Sequence, residues 1–131
     1  MRAYESLKFY QNICEIRSLI NKITERFRKT HLRLVSQMCD SARSAKQNIR
    51  EGYAKDSAGN FANSIKISRG SLEELEGDID DCFEDKLISS TEHDNLKKLI
   101  KLIFLQIDRY IDSLYRLERE GKWKVRFKRN P

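Results

Sequence analysis

Proline is almost missing from this sequence. The one residue of that type is Pro131, so no internal position forbids a helix. Cysteine is scarce and unpatterned: Cys14, Cys39 and Cys82 form no Cys-x-x-Cys motif and no even disulfide set, which excludes a disulfide scaffold and points to plain reduced thiols. No apolar run approaches the roughly 20 residues that cross a bilayer, and the opening MRAYESLKFYQ lacks the uninterrupted apolar region of a signal peptide. A soluble cytoplasmic protein with no membrane partner is therefore expected. Glycine-rich phosphate loops are absent. Histidine is limited to His31 and His93, both at expected helix starts, where solvent is the natural environment. Without a matched nucleophile and base, the sequence proposes no catalytic residue, metal, cofactor or small-molecule substrate.

What the sequence does have is helical periodicity and charge. Phe9, Ile13, Ile16, Ile20, Ile23 and Phe27 alternate four and three apart, as do Val35, Met38, Ala42, Ala45, Ile49 and Gly52. A third stripe runs through Phe61, Ile65, Ser68, Leu72, Leu75, Ile79 and Cys82, and a fourth through Leu96, Ile100, Ile103, Ile107, Tyr110, Leu114 and Leu117. This predicts an all-α, antiparallel up-down-up-down four-helix bundle over residues 1–120, with helices near 4–28, 31–52, 58–86 and 90–120. Thr30 or Ser36 is the expected cap of the second helix and Ser57 of the third, while Ser89 with Glu92 makes a capping box opening the fourth. Gly52 is expected to end the second helix in the left-handed conformation.

The stretch Gln37–Glu76 carries a resemblance. Asn48-Ile49-x-Glu51-Gly52-Tyr53, Ser57 and Phe61, followed by Ile67-x-x-Gly70-Ser71-Leu72-x-Glu74, resembles the signature of the four-helix-bundle family encoded in intervening sequences of bacterial large-subunit ribosomal RNA genes. Lys55 stands where that family often has arginine; Cys39 and Asp40 replace its paired arginines, and Arg28 its proline after Phe27. The resemblance implies a five-fold ring of four-helix subunits, a homopentamer. A related family, the accessory variability determinants of diversity-generating retroelements, implies two partners for such a ring, nucleic acid and a reverse transcriptase.

Charge and leftover apolar residues suggest surfaces. Arg43, Lys46 and Arg50 share one polar flank of the second helix and read either as a phosphate-binding strip or as a solvated face. The net charge of +6 is largely a property of residues 121–131, where Lys122, Lys124, Arg126, Lys128 and Arg129 meet no acid. Trp123 and Phe127 alternate with those cations, so the segment suits RNA or single-stranded DNA by stacking and phosphate neutralisation, or packs on its own bundle as a strand. Leu7, Tyr10 and Cys14 form a second stripe on the first helix, and Phe104, Ile111 and Tyr115 one on the fourth. Gly70 and Gly77 project opposite the core stripe of the third, where each costs about 1 kcal/mol relative to alanine. Together these eight residues are read as an interface between copies of the chain. From Ser71 to Asp85 there are eight acids and no base, expected to be relieved by Arg26, Arg28, Lys29 and Arg33.

Two functions of different class follow. One is a non-catalytic nucleic-acid-binding homo-oligomer favouring structured RNA; the other is a protein-interaction scaffold whose charges serve assembly.

Overall fold

The computed structural model describes residues 3–55 and 57–121. Among them are four α-helices and no strand: α1 Lys8–Thr24, α2 Leu32–Tyr53, α3 Ala58–Glu84 and α4 Ser90–Arg119. Short 3-10 turns at Ala3–Ser6 and Glu25–Phe27 flank α1, so the continuous helix expected over 4–28 is tightened at both ends. Cross-helix contacts fix an antiparallel order throughout. Thr24 meets Cys39, Gln37 meets Asp78, Ser44 meets Ser71, Lys97 meets Glu76, Lys66 meets Tyr115, and Asn12 meets Gln106.

The apolar stripes converge on one core. Ile13, Ile16 and Ile20 of α1, Val35 and Ile49 of α2, Ile65, Leu72 and Ile79 of α3, and Ile100, Ile103 and Ile107 of α4 are fully buried. Removing such side chains from water at about 25 cal/mol per Å² is the main force closing the bundle. Ile23, Tyr110 and Leu117, read as core, are half-buried against it.

Two residues read as outward-facing belong to this core. Tyr10 is buried because the turn Ala3–Ser6 folds Tyr4 back over it, edge-on at 5.1 Å between ring centres. Ile111 is buried too, because the apolar arc of a bundle helix is wider than a single heptad stripe.

The helix ends show which local signals worked. Ser57 accepts the Asn60 N–H at 3.0 Å, and Ser89 and Glu92 form the expected reciprocal capping box. At α2 the cap position is His31, with no side-chain bond to the helix; Thr30 instead bonds the Phe27 carbonyl and His31 Nδ1.

Gly52 is not a left-handed stop. It lies inside α2, which continues to Tyr53, and among the described residues positive φ occurs at Lys86 and Gly121. Its role is steric: a Cβ there would overlap Ser64 Cβ of α3. This close approach continues down the α2–α3 junction through small polar side chains. Ser68 Oγ donates to the Ala45 carbonyl at 2.7 Å, and the Ser44 and Ser71 hydroxyls pair at 3.0 Å. The left-handed stop is found instead after α3, at Lys86 with φ of 61°. There the Leu87 N–H reaches the Cys82 carbonyl at 2.8 Å and the Lys86 N–H the Phe83 carbonyl at 3.1 Å, a full Schellman closure.

Candidate nucleic-acid interface

Helical spacing places Arg43, Lys46 and Arg50 on the flank of α2 that adjoins α1, since Cys39 on the same flank meets Thr24 of α1 at 3.8 Å. Arg43 and Arg50 are exposed and Lys46 is half-exposed. Among the described residues none of the three forms an ion pair, whereas Arg26, Arg28, Arg69 and Lys97 all do. Beneath the strip, burial pushes the Tyr10 phenol up to about 12; the neighbouring Cys14 thiol adds to the rise and the Arg50 cation opposes it. The other expected nucleic-acid contacts, Lys122, Trp123, Lys124, Arg126, Phe127, Lys128 and Arg129, lie outside the described residues.

The acid-rich end of α3 is served by a different helix from the one expected. Arg26 takes Glu92 of α4 and Arg28 takes Glu25, so neither reaches α3. Lys97 of α4 bridges Glu76 at 3.3 Å and Asp80 at 3.0 Å instead. His93, expected in solvent, donates from Nε2 to Asp80 at 2.8 Å and stacks on Phe83 at 4.4 Å between ring centres. Burial would raise Asp80, but the bonds from His93 and Lys97 outweigh it and hold the carboxyl below its ordinary range. Asp78 goes the other way. Burial pushes its carboxyl up, against the hydrogen bond from Gln37 Nε2 at 3.0 Å. Glu74, Asp81, Glu84 and Asp85 make no ion pair among the described residues, leaving this corner negative.

The residues read as a subunit interface divide into three groups. Tyr10 and Ile111 are core. Leu7, Cys14, Phe104 and Tyr115 are half-buried against it. Two of these are further covered from within the subunit: the Arg69 guanidinium lies 4.2 Å from the Phe104 ring centre while gripping Asp108, and Lys66 donates to the Tyr115 hydroxyl at 2.7 Å. Gly70 and Gly77 do face outward, with nothing within 4 Å of a Cβ at either. The exposed apolar residues that accompany them escaped the sequence reading. Ile67 is 51% exposed one turn from Gly70, and Leu102 and Leu105 stand exposed on the outer face of α4. The spacing of Ile67 three before Gly70 is the signal that could have found it.

A groove of about 690 Å³ separates α1 from α4, lined by Leu19, Ile23, Leu96 and Leu99 with the Arg26–Glu92 pair at its rim. It holds no nucleophile with a base. No group of three or more His, Cys, Asp or Glu side chains among the described residues is placed to hold a metal ion, and no described helix is long and apolar enough to cross a membrane.

No curated protein matches the chain. The family model described as 23S rRNA-intervening sequence protein matches residues 5–109, from the start of the bundle to the middle of α4. With four helices in place and that match covering most of its length, the chain belongs to the 23S rRNA-intervening sequence protein family.

Proposed function

We propose that this chain is a non-catalytic, homo-oligomeric nucleic-acid-binding protein of the cytoplasm that favours structured RNA. The observation that carries the reading is the clustering of free cations: Arg43, Lys46 and Arg50 share one flank of α2, and none of them pairs with a carboxylate among the described residues. Unpaired cations at helical spacing match phosphates, and their binding releases condensed counterions. Lys122, Lys124, Arg126, Lys128 and Arg129 extend the same chemistry, with Trp123 and Phe127 as stacking surfaces. Assembly into a ring, a pentamer by family resemblance, would multiply weak contacts by avidity.

Binding of a labelled RNA hairpin at several salt concentrations tests this. The full chain is expected to bind with a steep salt slope. Replacing Arg43, Lys46 and Arg50 by glutamine should flatten it, as should replacing Lys124, Arg126 and Lys128. Absence of binding at low salt by an oligomeric full chain would sink the proposal.

The second reading is a protein-interaction scaffold, for example one that partners a reverse transcriptase. The outward Gly70 and Gly77 beside exposed Ile67 favour it, because bare backbone next to an apolar side chain suits close packing by another protein.

A further inference from the structure

α1 contributes a cation that the α2 strip lacks. Arg17 is half-buried, and its Nε is fully buried with no hydrogen-bond partner. An unsatisfied buried donor costs about 1–3 kcal/mol, and no carboxylate among the described residues pairs with this side chain. The guanidinium is thus held by its stem and packing, with its charge left over.

Register places that charge against the strip. Tyr10, Arg17 and Thr24 are spaced one heptad apart and so share one line along α1. Both ends of that line reach the same flank of α2: Thr24 Oγ1 is 3.8 Å from Cys39 Sγ, and the Arg50 cation acts on the Tyr10 phenol. Counting inward from those two pairs in antiparallel order sets Arg17 level with residues 43–46. Glu15, Asp40 and Glu51, the acids of these helices, pair with none of the four cations among the described residues.

We propose that Arg17, Arg43, Lys46 and Arg50 form a two-helix cradle for a phosphate group. Four cations brought to one seam, with no acid of either helix paired to them, favour an anion from outside the chain, and a guanidinium fork is the geometry that grips two phosphate oxygens at once. The proposal rests on the nucleic-acid reading for its source of phosphate, a backbone phosphodiester; free phosphate carries the same oxyanion chemistry.

The test follows the Arg17 Nε–Hε resonance in the full chain, assigned by its loss in Arg17→Lys, during titration with inorganic phosphate, an RNA hairpin, or chloride at matched ionic strength. A saturable shift with phosphate and RNA but not chloride is expected. Arg17→Gln and Lys46→Gln should each weaken RNA binding and lower its salt slope, by no more than the roughly 0.7–0.9 of the one phosphate that they share. Helicity is checked by circular dichroism, and Lys46→Gln keeps the binding test decisive if Arg17→Gln does not fold. If RNA binds and the tail substitutions weaken it, yet Arg17 is unmoved and neither variant changes the slope, the cradle is wrong while the nucleic-acid reading stands. If phosphate moves Arg17 but no RNA binds, the cradle stands and the RNA reading falls. A shift reproduced by chloride marks an adventitious ion only and overturns the cradle.

Discussion

Gly52 of α2 and Ser64 of α3 stand so close that one added methyl group at Gly52 would overlap Ser64 Cβ and lie 2.7 Å from its hydroxyl. Gly52→Ala is therefore expected to destabilise the bundle, although alanine is the better helix former. Overpacking of this kind typically costs about 1–3 kcal/mol, a fall of several degrees in Tm for a chain of this size. Adding Ser64→Gly removes the obstructing Cβ, so the two changes should couple favourably in a double-mutant cycle read by thermal unfolding. Strict additivity would mean that α2 and α3 can move apart freely.

Acid should act on the bundle through Glu92. The Arg26 guanidinium, at 2.6 and 2.8 Å, holds the Glu92 carboxyl down to about 2, helped by the Ser89 N–H. A carboxyl depressed on folding stabilises the protein above its unfolded pKa, and that contribution is lost as pH falls from about 4.5 towards 2. Arg26 is half-exposed, so solvent screening keeps the effect modest. Glu92→Gln should show a shallower loss of Tm over this window than the parent chain. Asp78 has the opposite sign. Its raised carboxyl makes stability fall as pH rises from the ordinary carboxylate range through its folded pKa, so Asp78→Asn should gain on the parent as pH rises out of that range.

Gly70→Ala and Gly77→Ala separate subunit stability from assembly. Both positions look into open space, so each alanine should stabilise the isolated subunit by about 1 kcal/mol. If these glycines admit the backbone of a second copy, the double variant should at the same time lose oligomeric mass in sedimentation at equal concentration. Unchanged mass with raised Tm would assign both to the free surface.

The bundle was legible because each stripe repeats over several turns: Ile13, Ile16 and Ile20, or Ile100, Ile103 and Ile107, admit one reading. Ser57, Ser89 and Glu92 were legible for a similar reason, since capping is local. What escaped depends on which helix stands beside which. Periodicity shows that the α3 acids share a surface, but only packing decides that Lys97 and His93 of α4 answer Glu76 and Asp80. Tyr10 was misassigned because the turn that covers it lies outside α1. Gly52 sits where a helix ends in sequence, and its function as a contact needed Ser64 in view. Within the candidate site, Arg43, Lys46 and Arg50 follow from spacing on one helix, whereas Arg17 joins them through the register of two.

The connection from α3 to α4 leaves no slack. Lys86 turns the chain at a positive φ, Leu87 is tied back to Cys82, Ile88 is buried, and Ser89 and Glu92 lock the next helix, which Arg26 anchors to the end of α1. One residue added between Lys86 and Ser89 would have to be absorbed by rotating α4 about 100°, carrying Ile100 and Ile103 away from the core, or by breaking the clamp. Length at this corner is thus as constrained as side-chain identity, and an insertion or deletion here should cost both the turn and the seating of α4.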